Sequence, residues 1–278
     1  MNFIIIANLL KIWFICKMNL SFGVCNLSLV PLRTEASDKS EMCSQLLFGD
    51  HFTLLEVGEK WSRIQTEYDE YEGWIDNKQY VKVNQATFDG LRNSKSILSL
   101  QVFHKVSKTD NLTVLKLLAG STIPQNVDGL FYLGDTRYKL EGATINPINS
   151  EFRSGVKDAA QFYLGSPYLW GGRSIFGIDC SGFSQMVFKQ FGIKLKRDAW
   201  QQAEQGELVG FLQESRAGDL AFFDNEEGRI THVGIMLDNQ KIIHASGTVR
   251  IDPIDNQGIF NTELNRYTHK LRIVKRFS

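Results

Sequence analysis

The chain has 278 residues, enough for two or three domains, and at 43% apolar and 12% aromatic residues it can bury a substantial core. Its 5 prolines argue against long disordered linkers. Lys and Arg together number 31, as do Asp and Glu, so no basic surface of the kind that draws nucleic acid is implied; small peptides or glycopeptides stay open as partners.

In chain order, Phe3 to Cys16 is mostly apolar but is interrupted by Lys11 and has no positive charge before it. It is too short for a membrane-spanning helix, and no small-residue cleavage site follows. The expectation is therefore that residues 1–17 are a mis-assigned start, with Met18 as the true one; a weak anchor or export signal is the rival. No stable membrane insertion is expected. The four cysteines, Cys16, Cys25, Cys43 and Cys180, match neither a metal knuckle nor a disulfide framework, and the first three read as plain free thiols.

From Val24 to about Val83, short alternating runs (Leu46 to Phe48, Phe52 to Val57, Trp61 to Gln65, Gly73 to Ile75) broken by polar turns predict a small antiparallel barrel. Gly73-Trp74-Ile75 after an acidic turn resembles the closing strand of bacterial SH3-type domains, as do Gly49-Asp50 and Gly58-Glu59-Lys60-Trp61 ahead of strands. Residues 84–149 again read as β-rich, with short strands around Phe131 and Tyr138, and are expected to form a second SH3-like domain. From residue 150 the texture changes. Phe152, Val156, Ala159, Ala160 and Tyr163 share one helical face, and Gly165-Ser166-Pro167 ends that helix. A second helix runs from Cys180 through Phe183, Val187 and Phe191 to Gly192. Strands follow at 220–223, 232–237, 241–244, 249–251 and 271–277, making an α+β domain.

The chemistry concentrates in Tyr168-Leu169-Trp170-Gly171-Gly172 and Gly177-Ile178-Asp179-Cys180-Ser181-Gly182-Phe183. Cys180 sits where a glycine-rich loop turns into a helix, whose free N–H groups and positive dipole end favour thiolate and can hold an oxyanion. A thiolate nucleophile needs a base and the base an orienter. His232 and His244, twelve residues apart around the turn Asp238-Asn239, are expected to face each other across a hairpin and fill those roles. Alone, each of these three residues would read more simply as core or strand-end; it is their combination that points to catalysis. A Cys-His-His zinc site is the chemical rival, weakened by the lack of a fourth ligand and of tight local pairs. No cofactor or metal is implied. His51, His104 and His269 have no evident partners and are expected at the surface. Asp219 with Gly218 reads as a turn, and Trp170 as pocket wall or core.

These residues resemble the NlpC-type cell-wall cysteine peptidases. The resemblance runs through the aromatic-Trp-Gly-Gly loop, the Asp-Cys-Ser-Gly-Phe box, Arg197-Asp198 before a Gln-rich helix, Ala217-Gly218-Asp219-Leu220, His-Val-Gly-Ile and His-Ala-Ser, in order over about 125 residues. It is strongest to the γ-D-glutamyl-diamino acid dipeptidyl-peptidases, which carry SH3-like domains in front. It implies a papain-like α+β catalytic domain over 150–278, preceded by two small all-β SH3-like barrels over 18–83 and 84–149. It implies Cys180 as nucleophile, His232 as base, His244 as third catalytic residue and Tyr168 as an oxyanion-binding hydroxyl. Asp179 and Ser181 would line the substrate pocket, Asp198 would meet the substrate amine, and Glu41 and Tyr71 would reach over the site from the first barrel. Ala199 stands where the subgroup often has serine. The implied activity is hydrolysis of the bond between γ-D-glutamate and a diamino acid in peptidoglycan stem peptides, releasing L-Ala-γ-D-Glu from free muropeptides during cytoplasmic recycling. The alternative is a wall-binding protein with an inert third domain.

Overall fold

Alternation of buried and exposed side chains sets the strands of the first unit. The computed structural model describes residues 21–277 other than Lys95, Leu112 and Gln125, so residues 1–17, Cys16 among them, and Met18 lie outside the described residues. Strands β1 (Ser21–Val24), β2 (Leu29–Arg33), β3 (Met42–Leu47), β4 (His51–Val57), β5 (Trp61–Thr66), β6 (Glu72–Asp76) and β7 (Val81–Val83) form one sheet in the order β3-β2-β6-β5-β4-β1-β7. Every second residue points inward: Val30 and Leu32, Phe52 and Leu54, Ser62 and Ile64, Gly73 and Ile75. Gly73 is required by a close approach, because a Cβ there would lie 2.6 Å from Leu32 Cγ.

The next stretch begins with a helix that the sequence reading did not anticipate, α1 (Gln85–Asn93). Asn84 caps it by accepting from Thr87 N, and Phe88 and Leu91 bury its inner face. Then come β8 (Ile97–Leu98), β9 (His104–Lys108), β10 (Val114–Leu117), β11 (Leu130–Leu133), β12 (Thr136–Glu141) and β13 (Thr144–Ile145), of which four make a sheet ordered β10-β9-β12-β11. Its core, around Val106, Phe131, Tyr138 and Leu140, also takes in Val24 and Phe48 from the first unit. The two units therefore share apolar packing.

In the third unit, α2 (Phe152–Gln161) stops before Gly165, whose φ of 82° ends the chain's helical run. The short hairpin β14 (Arg173–Ser174) and β15 (Gly177–Ile178) leads into α3 (Cys180–Lys189), every residue of which is buried. After α4 (Ala199–Ala203) the chain forms β16 (Glu207–Val209), β17 (Leu220–Asp224), β18 (Ile230–Met236), β19 (Lys241–Ser246), β20 (Thr248–Asp255), β21 (Gly258–Asn261) and β22 (Arg266–Arg276). The sheet order is β16-β22-β17-β18-β19-β20-β21, and β22 also pairs with β21, so the strands curl back on themselves. Both faces are covered, which is why β17 reads as an unbroken apolar run. Leu220 and Phe222 pack toward the helices, Ala221 and Phe223 toward a second cluster with Met236, Ile242 and Ile259. Gly218-Asp219 is more than a turn: Asp219 is fully buried and takes charge-assisted bonds from Arg276 at 2.7 Å and Arg153 at 3.1 Å. Among the described residues no helix is long and apolar enough to cross a membrane.

Candidate active site

The Gly-rich loop and the start of α3 are held by one carboxylate. Asp179 is the N-cap: its Oδ1 accepts from Gly182 N at 2.6 Å and its Oδ2 from Gly171 N at 2.9 Å. Arg197, 1% exposed, binds the same carboxylate through both guanidinium nitrogens at 3.1 and 2.5 Å, and also donates to Ser181 Oγ and Ser44 Oγ at 3.0 Å. A buried ion pair of this kind is costly to break from one side, by about 3–5 kcal/mol, since it strands the other charge. Asp179 and Ser181 thus fix the backbone on either side of Cys180 from beneath. Gly171 has a φ of 76°, and a Cβ there would meet Met42 O at 2.3 Å, so the loop touches the first barrel directly.

Cys180 opens α3, and the backbone N–H of Val233, the residue after His232, donates toward its sulfur. Burial works against the ionisation that the helix end favours. Burial first, and the Asp179 carboxylate second, push Cys180 up to about 12, against the lowering from Arg197 and the backbone. Cys25 and Cys43, also raised by burial, reach about 12 and about 11, so no thiol is marked out by a low resting pKa.

The two histidines meet, but not as expected. The register places Gly234, not His232, opposite His244, while His232 lies opposite Phe223 on β17. His232 and His244 are therefore diagonal neighbours on one face of the sheet, within reach of long side chains. The missing side chain at Gly234 makes the room: a Cβ there would stand 2.8 Å from His244 Cβ and 2.7 Å from Ile242 Cδ1. His232 Nε2 bonds His244 Nδ1 at 2.9 Å, and His244 Nε2 bonds Asp252 Oδ2 at 2.9 Å. Asp252, 1% exposed, receives two bonds from Arg250, at 2.8 and 3.0 Å. Because Asp252 can only accept, His244 Nε2 donates; its Nδ1 accepts from His232 Nε2; and His232 Nδ1 keeps its lone pair. Asp252, on β20 eight residues past His244, escaped the sequence reading, although its alternation with Arg250 on one strand face was a usable signal. Replacing Gly234 with Ala should push His244 aside and destabilise the fold by about 1–3 kcal/mol, as overpacking does. Thermal unfolding reads this as a lower Tm; an unchanged Tm would show that the space is not needed.

The other three histidines correct the expectation of surface positions. His104 is 2% exposed, with Nε2 3.2 Å from Ser99 O, and His51 is mostly buried. His269 lies on β22, the strand that curls back, and stacks on His232 with ring centroids 4.1 Å apart. Ligand atoms of His232, His244 and His269 lie within 4.8 Å of one another, and His232 and His244 are also hydrogen-bonded to each other. Burial, then His244 and then His269, hold His232 well below its usual range, and His269 itself falls to about 4.

Side chains of the first barrel meet the loop and the start of α4. Trp170, 60% exposed and so not core, donates from Nε1 to Glu41 Oε1 at 2.5 Å. Tyr71 donates to both oxygens of Asp198 at 3.3 Å. Asp198 also caps α4 through a reciprocal bond with Gln201. Its neighbour Arg197 is spent on Asp179, so Asp198 has no salt-bridge partner among the described residues, and burial pushes its carboxyl above the usual range. Tyr168, partly buried on the loop, is bonded through its backbone to Gly247; burial and then the nearby Cys180 raise its hydroxyl. Glu41 is exposed.

Comparison with known proteins agrees with this geometry. The NlpC/P60 family model matches residues 165–267, and the bacterial dipeptidyl-peptidase SH3 domain matches residues 32–79. The γ-D-glutamyl-L-lysine dipeptidyl-peptidase of Bacillus subtilis strain 168 is 33% identical over 220 residues, covering 74% of this chain and 72% of that one. A Bacillus cereus protein of the same name is 27% identical over 256 residues, covering 80% and 73%. The crystal structure of an NlpC/P60 family protein from Bacillus cereus ATCC 10987 aligns with a TM-score of 0.76 at 20% identity, over 92% of this chain and 99% of that one, so the fold is shared. The chain belongs to the NlpC/P60 family of papain-like cysteine peptidases, with an SH3 domain of the bacterial dipeptidyl-peptidase type in front.

Proposed function

We propose that the chain hydrolyses the γ-D-glutamyl–diamino acid bond of peptidoglycan stem peptides and releases L-Ala-γ-D-Glu from peptides with a free N-terminus. The observation that carries this reading is the meeting of the first barrel with the loop and α4, where Tyr71 bonds Asp198, which has no salt-bridge partner among the described residues, and Glu41 is tethered to Trp170. A half-buried carboxylate held above its usual pKa gains most from a positively charged partner, and the α-ammonium of L-Ala is a cation of the right size. An N-terminus extended through an amide brings no charge and meets the barrel. Peptides already detached from sugar satisfy the requirement, so the reading places the enzyme in recycling of muropeptides.

In this mechanism His232 Nδ1 takes the proton of Cys180 as Sγ attacks the γ-carbonyl of D-Glu. Backbone N–H groups at the start of α3 and the Tyr168 hydroxyl hold the oxyanion. The tetrahedral intermediate collapses, the diamino acid amine leaves with the proton from His232, and Cys180 keeps the dipeptide as a thioester. Water, activated by the same imidazole, then frees it. His244 and Asp252 fix the tautomer that leaves Nδ1 free, and their order Cys-His-His-Asp extends the usual triad by one carboxylate. The buried resting pair is neutral thiol and neutral imidazole, so charge appears only as the reaction begins.

The pH dependence follows from the sign of the His232 shift. Protonated His232 cannot act as base, and a pKa held below 6.5 keeps the neutral form populated into mild acid. The acid limb of kcat/KM should therefore have its midpoint below pH 6.5; a midpoint at or above that value would remove His232 as the group that titrates. The reading as a whole is tested by incubating the purified protein with L-Ala-γ-D-Glu-L-Lys and its meso-diaminopimelate counterpart and weighing the products by mass spectrometry. Release of L-Ala-γ-D-Glu is expected from one or both. Intact tripeptide after prolonged incubation, with binding retained, would favour an inert wall-binding protein instead.

A further inference from the structure

Away from the catalytic residues, a cavity of about 370 Å³ opens between the first barrel, the middle unit and α3. Cys180, His232 and His244 do not line it. Its charged wall is built from both ends of the chain. Asp50, at the start of β4, meets Lys189 at 3.2 Å and Arg173 at 3.2 Å, and all three side chains are at most 6% exposed. One buried carboxylate is thus shared by two buried cations. The other ion pair on the cavity, Arg92 with Glu67 at 2.8 Å, balances itself. Asp69, the next carboxylate toward Lys189, accepts only from the neutral donors Gln185, Thr66 and Tyr71 N, so its charge also acts on Lys189, and what a ligand would supply is unmade hydrogen bonds rather than a balance for excess charge.

The polar groups of this wall are incompletely satisfied. Arg173 donates to Asp50 and Gln45 O from one nitrogen, while its Nε and its second terminal nitrogen are buried without a partner. His51 Nε2, in the same cavity, also has none. Since the His51 Nδ1 lies 3.2 Å from the Gly49 carbonyl and must donate to it, the neutral ring offers a lone pair at Nε2, suited to a ligand hydroxyl. A buried guanidinium with idle donors costs free energy that an incoming acceptor recovers. Around these groups the cavity is apolar, with Leu91, Ile97 and Phe191, and the Tyr68 ring lies 4.9 Å from Lys189 Nζ and 5.9 Å from the Arg173 guanidinium. The exposed Lys194, its Nζ 5.8 Å from the same ring, adds positive charge at the mouth.

We propose that this cavity is a second ligand site, taking a small organic anion whose carboxylate or phosphate head meets Arg173 and Lys189 and whose apolar body packs against Leu91, Ile97 and Phe191. Arg173 also bridges to the catalytic loop, since its backbone N bonds Gln45 and its strand β14 pairs with Ile178 of β15, two residues before Cys180. The site is therefore placed to steady that loop when filled. The inference does not depend on which peptide the enzyme cleaves.

Isothermal titration of the full chain with benzoate, phenyl phosphate and benzyl alcohol tests it, repeated on the Cys180→Ala variant. One-to-one binding of at least one anion is expected, at least tenfold tighter than benzyl alcohol and unaffected by Cys180→Ala; which anion binds identifies the head group. Lys189→Met keeps the Asp50–Arg173 pair and should weaken the anion tenfold or more. Arg173→Gln should weaken it further where that variant folds. Failure of both anions to saturate at about 10 mM, benzyl alcohol binding as tightly, loss of binding in Cys180→Ala, or unchanged affinity in Lys189→Met would each overturn the proposal.

Discussion

Cys180→Ala is expected to lower kcat/KM on free stem tripeptide by on the order of 10⁴ or more, leaving substrate affinity within a few-fold of the parent protein. The reason lies in how little else could replace the thiol. Ser181 is bonded to Arg197 and Asp179 beneath the loop, and Ser184 donates to Cys180 O inside α3, so no neighbouring hydroxyl can take over. Cys180→Ser should also lose nearly all activity. A buried hydroxyl facing a base whose pKa is held this low is harder to deprotonate than the thiol. Steady-state kinetics with calorimetric binding on each variant separates the two effects. Residual turnover within tenfold of the parent enzyme would mean that another group attacks.

The second large effect concerns the substrate's own N-terminus. N-acetylation of L-Ala-γ-D-Glu-L-Lys removes the ammonium that Asp198 is proposed to pair and adds bulk toward Tyr71. Sites built around a buried polar partner reject analogues lacking it by about 10⁴. Asp198 is only partly buried, so a loss nearer 10³ is expected. Tyr71→Phe leaves the carboxylate in place and should cost about 1 kcal/mol, the usual worth of one hydrogen bond. Glu41 is exposed and acts through Trp170, so Glu41→Ala should cost only about 1–2 kcal/mol. Comparable rates on free and acetylated peptide would refute the pairing at Asp198 while leaving Cys180 and His232 in their roles.

Much of this was legible in the residues. The alternation in Phe52 to Val57 and Trp61 to Gln65 gave strands whose observed ends differ by a residue or two, because a half-buried strand writes its period into the sequence. The boundary of α3 could be read from Asp179 as cap and the glycines around it. Helix α1 was hidden because Gln85 to Asn93 buries only Phe88 and Leu91, too few apolar positions to set a period. The histidine register was misplaced by two residues, since hairpin counting from Asp238-Asn239 could not know that Gly234 sits opposite His244. His269 was missed for a different reason. It reaches His232 only because β22 curls to pair with β21, a long-range closure that leaves no local mark. The same holds for Arg173, Lys189 and Asp50, which lie over a hundred residues apart in part and meet at one carboxylate. The high thiol pKa was likewise invisible, because helix-end placement can be seen in a sequence and burial cannot.

The most direct test of the account is to catch the acyl-enzyme. Rapid mixing of the enzyme with L-Ala-γ-D-Glu-L-Lys, acid quenching and peptide mapping by mass spectrometry should find Cys180 carrying the L-Ala-γ-D-Glu acyl group as a thioester, formed before free dipeptide accumulates. An adduct on any other residue, or a full burst of dipeptide while every Cys180-containing peptide stays unmodified, would contradict nucleophilic attack by Cys180 on that bond.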